Sequence, residues 1–168
     1  MRAHGRVQRF GDDVNTDVII AAQHKASSLD VGEMAKHTFE DIDPTFVERV
    51  RPGDFVVAGR NFGCGSSRET APRVISACGV SAVIAQSFAR IFFRNAINSG
   101  LAVAECDTTG IGQDDELVLD LDEGYLEVAG ERRPVTPLPP VMNAVLASGG
   151  MAAYLREHGD LVLPDRTD

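Results

Sequence analysis

Three short, almost continuously apolar runs set the first constraint on this chain. Residues 54–58, 81–85 and 101–104 lack the polar alternation of a half-exposed strand, so each reads as a strand covered on both faces. Two helix-length stretches separate them. The first runs over residues 71–77 and ends at Gly79, with Pro72 tolerated in its first turn, where N–H groups have no intrahelical partner. The second runs over residues 88–98, capped by Ser87 and stopped by Gly100, with Phe88, Ile91, Phe92 and Asn95 on one face. Strand, helix, strand, helix, strand predicts an α/β fold with a small parallel sheet and helices packed against it.

The flanking segments add to this frame. Residues 5–10 read as a first strand ended by the turn Gly11-Asp12-Asp13. Residues 21–28 read as a polar loop, and residues 30–39 as a helix capped by Asp30. Asp43-Pro44 opens a short helical turn that ends near Pro52-Gly53. Beyond the third apolar run, residues 105–128 contain nine acids and no basic residue. Strand-like pieces at 116–121 and 125–128 flank the turn Asp122-Glu123-Gly124, with Val135 beside them, and predict an antiparallel layer with one wet face. Two helices follow at 139–146 and 151–157, broken by Gly149-Gly150, and the tail from about residue 164 is expected to fray. At 168 residues, the chain is expected to form a single domain over 1–168.

Composition excludes several function classes. No apolar run approaches 18 residues and no secretory leader is evident, so the chain reads as soluble and cytoplasmic, with no membrane role. A net charge of −9 argues against nucleic acid. The charge is uneven, however: residues 48–100 hold seven Arg against three acids, or +4, which leaves −13 for the remainder. That basic island surrounds a glycine-rich loop and could steer an acidic substrate. Solvated helix faces are the other reading for Arg49, Arg51 and Arg73. Cys64, Cys78 and Cys106 are an odd, widely spaced set without a CxxC pair, which speaks against a disulfide framework, a zinc site or an iron–sulfur cluster held by this chain alone. His4, His37 and His158 are too scattered in sequence to suggest a metal set.

The loop itself is Gly59-Arg60-Asn61-Phe62-Gly63-Cys64-Gly65-Ser66-Ser67-Arg68-Glu69, between the first apolar run and the first helix. Glycines at 59, 63 and 65 permit positive φ and close backbone approach. Ser66 or Ser67 could cap the helix, with Glu69 closing a capping box. Free amides at a helix start, two hydroxyls and a guanidinium then make an anion site. The spacing is not that of a phosphate loop, since no Gly-Lys-Ser/Thr follows; nor that of a dinucleotide fingerprint, since Arg68 stands where the third glycine belongs; nor that of a hydrolase elbow. Cys64 has two readings, a thiol acidified at a helix start or a small buried residue.

Residues 61–69 resemble the signature of the small subunit, or swivelling domain, of the aconitase superfamily, especially of 3-isopropylmalate dehydratase and homoaconitase. Asn15-Thr16-Asp17 resembles the family's Asn/Ser-Thr-Asp segment, and Ser87-Phe88-Ala89-Arg90-Ile91-Phe92-Phe93-Arg94-Asn95 its Ser-Phe-Ala-x-Ile-Phe-x-x-Asn helix. The resemblance covers roughly residues 5–105. It implies a three-layer β/β/α swivelling domain that closes over a large partner subunit carrying a [4Fe-4S] cluster, none of whose ligands come from this chain. It implies dehydration and rehydration of a hydroxy di- or tricarboxylate, with one cluster iron acting on the leaving hydroxyl. Ser66 is then the proton-transferring base, acting as a locally stabilised alkoxide, and Ser67 and Arg68 bind substrate carboxylate, Arg68 in two-pronged fashion. Thr16 and Asp17, which could otherwise form only an Asx-type turn, would lie at the rim of the site.

One stretch departs from the family. Where isopropylmalate enzymes show an aromatic-Leu pair opening a loop over the substrate side chain, this chain has Gln23-His24-Lys25-Ala26-Ser27-Ser28. An isopropyl group gains little there, whereas Lys25 could pair with a second acidic arm, as in homoaconitate or citrate. A merely solvated loop is the other reading. The leading functional expectation is a 3-isopropylmalate dehydratase small subunit of leucine synthesis. Its alternatives are a homoaconitase-type subunit, a subunit acting on a methyl-substituted malate, and a non-enzymatic carboxylate-binding module.

Overall fold

The computed structural model describes residues 1–27 and 30–159, with residues 25–27 described by backbone alone. Strand β1 (Arg2–Arg9) is followed by four short helices, α1 (Thr16–Ile19), α2 (Ala22–Ser27), α3 (Val31–Ala35) and α4 (Phe46–Arg49). The alternating unit comes next: β2 (Phe55–Val57), α5 (Thr70–Ala77), β3 (Ala82–Ala85), α6 (Arg90–Asn98) and β4 (Ala102–Glu105). An antiparallel meander, β5 (Glu116–Asp120), β6 (Tyr125–Val128) and β7 (Glu131–Pro134), leads to α7 (Pro140–Ala147) and α8 (Met151–His158).

The strands form one mixed sheet in the order β4-β3-β2-β1-β5-β6-β7. β1 is its seam. Its later residues pair in parallel with β2, Val7 opposite Phe55, and its earlier residues pair antiparallel with β5, Ala3 opposite Leu119. Successive residues of a strand face opposite sides, so the apolar runs supply two cores. Val56, Val83 and Val103 face the helices, packing in one cluster with Ile75, Phe92 and Ile97. Phe55, Val57 and Ile84 face the other way and share a second cluster with Leu117, Leu119 and Leu126 of the meander. The sheet therefore curls so that its antiparallel part covers the back of its parallel part, giving the β/β/α layering. Full burial of side chains such as Phe55 or Val56 stabilises the fold by roughly 1.5–3 kcal/mol each.

Several boundaries differ from the sequence expectation for physical reasons. Residues 22–27 are helical where a loop was expected. Helix α3 is capped by Asp30 as expected, its carboxylate accepting from the Gly32 and Glu33 N–H groups, but it is shorter than residues 30–39. The chain turns over at Phe39, whose φ is +60°. Ser66, Ser67 and Glu69 form no capping box: α5 begins only at Thr70, with Glu69 at the cap position and no side-chain bond. Ser87 does not cap α6, which starts at Arg90. Phe88 lies before that helix, and Ile91, expected on its buried face, is 51% exposed, the buried positions being Phe92, Ala96 and Ile97. The strand expected at Val135, beside β5 and β6, is β7, which lies just before it in the polar run Glu131-Arg132-Arg133-Pro134 on the sheet edge. Among the described residues, no helix is long and apolar enough to cross a membrane.

Candidate functional site

Parallel strands β1, β2 and β3 send their carboxyl ends to one side of the sheet, and the segments leaving them are laced together there. Gly63 N–H donates to the Val14 carbonyl at 2.8 Å, and Thr16 N–H donates to the Cys64 carbonyl at 2.8 Å. On the other flank Asn61 N–H donates to the Ser87 hydroxyl at 2.9 Å, Phe62 N–H to the Ser87 carbonyl at 3.0 Å and Ala89 N–H to the Phe62 carbonyl at 2.9 Å. The Ser87 hydroxyl thus holds the glycine loop. In an open α/β sheet, the crevice beyond the carboxyl ends of the strands is where ligands bind.

Close approach explains the glycines. At Gly65, φ is +90° and an added Cβ would lie 2.3 Å from Asn15 Oδ1; at Gly63, φ is +80° and it would lie 2.2 Å from the Phe92 ring. Asn15 caps α1 by accepting from the Asp17 N–H at 2.8 Å, so one side chain both starts that helix and abuts the loop. Asn15 belongs to the Asn-Thr-Asp motif but has no role among the residues expected at the site. An Asn directly before Thr-Asp is the local signal for such a cap.

Thr16 is buried, at 2% exposure, and its hydroxyl donates to the Ser66 carbonyl at 2.7 Å. It stands beneath the loop and not on the rim. Ser66 and Ser67 are exposed. Among the described residues, their hydroxyls and the N–H groups of Gly65, Ser66 and Ser67 make no hydrogen bond. Arg68 is tied down: its Nη2 pairs with Asp17 Oδ1 at 2.6 Å and its Nη1 donates to the Ile20 carbonyl at 3.1 Å. Ser66, Ser67, Arg68, Thr16 and Asp17 are therefore neighbours through one loop and one helical turn. The side chain of Lys25 lies outside the described residues.

The other charges nearby are ordered too. Asp12 accepts from the Arg60 N–H at 2.8 Å, and that bond, followed by the Arg60 guanidinium, holds its carboxyl below the usual range. Arg49 pairs with Asp43, while Arg73, Arg90 and Arg94 are exposed. Cys64, half-buried, donates to the Asp13 carbonyl at 3.5 Å, and burial, then Asp13, push its thiol up, which speaks against the acidified thiol.

Apart from this loop, α2 and the turn after α3 bring His24 and His37 together with their rings stacked, centroids 3.8 Å apart. His24 Nε2 and His37 Nδ1 contact the two oxygens of Glu40. Burial alone would raise the Glu40 carboxyl, but hydrogen bonds from His37 and then His24 outweigh it and hold it low. The fold pairs His37 not with His4 or His158 but with His24, which lies outside the set considered from the sequence.

The thiols do not fit an iron–sulfur cluster. Cys64, Cys78 and Cys106 donate to three different carbonyls, those of Asp13, Ala35 and Asp107, and burial raises the pKa of each. Among the described residues, the only group of three or more metal-ligating side chains that converge is His24, His37 and Glu40.

Comparisons with known proteins bear on this geometry. The aconitase C-terminal domain family matches residues 16–107, a span that runs from Thr16 through the glycine loop to Ser87 and Ala89 and on past β4. The 3-isopropylmalate dehydratase small subunit 2 of Archaeoglobus fulgidus is 49% identical over 163 residues, 96% of this chain and 99% of its own. A 3-isopropylmalate dehydratase small subunit of Moorella thermoacetica is 48% identical, covering 92% of this chain and 95% of its own. Among solved structures, the 3-isopropylmalate dehydratase of Methanocaldococcus jannaschii superposes with a TM-score of 0.91 at 42% identity, covering 95% of this chain and 96% of that one. The chain belongs to the aconitase C-terminal domain family and, within it, to the small subunits of 3-isopropylmalate dehydratase.

Proposed function

We propose that this chain is the small subunit of a heteromeric hydro-lyase that converts 2-isopropylmalate to 3-isopropylmalate in leucine synthesis. It works in the cytoplasm with a large subunit that carries a [4Fe-4S] cluster. The observation that carries this reading is the loop at residues 63–68. Its two exposed seryl hydroxyls and three unbonded N–H groups sit beside a guanidinium, in a chain nearly half identical to named small subunits over almost its whole length. The scattered thiols support a cluster supplied from outside the chain.

Elimination of water takes a proton from one carbon and a hydroxyl from its neighbour; rehydration returns them exchanged. Ser66 Oγ takes and returns that proton. A seryl oxygen is basic enough only as an alkoxide, and the amides of Gly65, Ser66 and Ser67 with the Arg68 charge stabilise that anion without reorganising. Ser67 and Arg68 hold a substrate carboxylate, Asp17 keeping the guanidinium oriented through its 2.6 Å pair. Thr16 is a positioning residue that fixes the backbone at Ser66. A charge at Lys25 would favour a substrate with an acidic variable arm over isopropylmalate, so this residue bears on the homoaconitate alternative.

Co-expression with a candidate large subunit tests the proposal, followed by anaerobic reconstitution with iron and sulfide. Turnover is then assayed on isopropylmalate, citraconate, homoaconitate and citrate. Isomerisation of isopropylmalate that needs both chains is expected. An intact cluster with no turnover on the panel contradicts it, and preference for homoaconitate would move the substrate assignment to the longer acid.

A further inference from the structure

We propose that His24, His37 and Glu40 form a binding site for a divalent transition metal, which clips α2 to the turn that follows α3. None of these three residues has a part in the mechanism above, although His24 belongs to the stretch 23–28 considered for the variable arm of the substrate.

The fold delivers the three groups from two directions. Phe39 N–H donates to the Ile19 carbonyl at 2.9 Å, which pins the turn after α3 to the end of α1, directly before α2. His24 rises from α2 on one side of this pin. His37 and Glu40 lie within the turn on the other, Glu40 N–H donating to the His37 carbonyl at 3.3 Å. The two imidazoles stack at an interplanar angle of 8°, and their Nε2 and Nδ1 atoms address opposite oxygens of one carboxylate. One ligand atom from each residue lies within 4.8 Å of the other two.

Two imidazole nitrogens and a carboxylate suit zinc, cobalt or nickel better than the hard, oxygen-seeking cations. Metal–nitrogen and metal–oxygen bonds of about 2.0–2.2 Å place ligand atoms roughly 3 Å apart. The N–O contacts here are shorter, so binding opens the cluster slightly, and the cation takes the place of the protons these atoms share. Side-chain exposures of 16% for His24, 32% for Glu40 and 42% for His37 leave a way in from solvent and a fourth position for water. Such an ion would tie α2 to the turn after α3 more firmly than the His24–Glu40 contact and the ring stack do alone. It would order the α2 segment next to the carbonyl of Ile20 that Arg68 grips.

Titrating the full chain with Zn²⁺ by calorimetry, and with Co²⁺ by visible absorption, tests the site. One equivalent of each metal is expected, with Co²⁺ bands of a low-coordinate site. Removing a mere outer partner of a bound metal lowers affinity roughly 10- to 100-fold, so His24→Gln, His37→Gln and Glu40→Gln should each lower it at least that far while the circular dichroism spectrum is kept. Bound Zn²⁺ should also slow tryptic cleavage after Lys25 in the parent chain and not in His37→Gln. Absence of a 1:1 site, binding that survives all three substitutions, or binding without protection at Lys25 would each overturn the clip.

Discussion

Thr16 Oγ1 donates to the Ser66 carbonyl at 2.7 Å from a position that is 2% exposed. A buried hydroxyl thereby sets the height of an exposed loop. Thr16→Val keeps the shape and removes the bond, so it should cost about 1 kcal/mol in urea unfolding. Because the bond fixes Ser66, kcat of the two-chain enzyme should fall while KM changes little. Thr16→Ser should restore both. Loss in the Ser variant beside a parent-like Val variant would show that the methyl group, and not the hydroxyl, matters.

Arg68 is held by Asp17 and the Ile20 carbonyl, aligned before any carboxylate arrives. Hydrogen bonds to charged groups are worth about 1.5–3 kcal/mol, so Arg68→Ala should lower kcat/KM about 10- to 100-fold. Arg68→Lys should recover only part of this, since a point charge does not reproduce the guanidinium fork. Asp17 is half exposed, and Asp17→Asn should move unfolding by less than about 0.5 kcal/mol. Steady-state kinetics and urea melts on the same variants separate the two effects.

Gly63 and Gly130 share a φ of +80°, but an added Cβ at Gly63 would strike the Phe92 ring at 2.2 Å, and at Gly130 it would meet nothing within 4 Å. Gly130→Ala should therefore cost only about 1–2 kcal/mol for the left-handed backbone. Gly63→Ala should cost a further 1–3 kcal/mol, approximately, for overpacking. Similar melting points for the two variants would show that the loop yields where the packing says it cannot.

Asp43 accepts from Arg49, and that bond, opposed by burial and helped by Thr45, holds its carboxyl below the usual range. A depressed carboxyl stabilises the fold above its unfolded pKa, about 3.9. That stability disappears as pH falls through the lower folded value. Asp43→Asn should thus lower the urea midpoint at pH 6 and flatten the decline below about pH 4. An unchanged decline would assign the acid sensitivity to other carboxylates.

How much of this was legible follows from the range of the interactions. The strands at Phe55, Ala82 and Ala102 announced themselves because both their faces are buried, which leaves an unbroken apolar run. The site loop was legible because its glycines and serines are contiguous. Ser87 misled because its hydroxyl accepts from Asn61, a residue distant in sequence, in place of a helix N–H of its own. Ile91 misled because the helix begins at Arg90, after Phe88 has paired with Phe62, so the assumed face was rotated. β7 carries Glu131, Arg132 and Arg133, with no apolar alternation to mark it; Arg132 instead pairs with Glu127 and lies over the Tyr125 ring. The meeting of His24 with His37 depends on the bond from Phe39 to Ile19, which no local pattern encodes.

The central claim is that Ser66 moves the proton. Its most direct test is Ser66→Ala in the reconstituted two-chain enzyme, with complex formation and cluster content checked first. The account predicts a fall in kcat of about 100- to 10,000-fold, the range for losing a positioned acid–base group, with KM for isopropylmalate changed only a few-fold. A variant that assembles normally and turns over at the parent rate would contradict it.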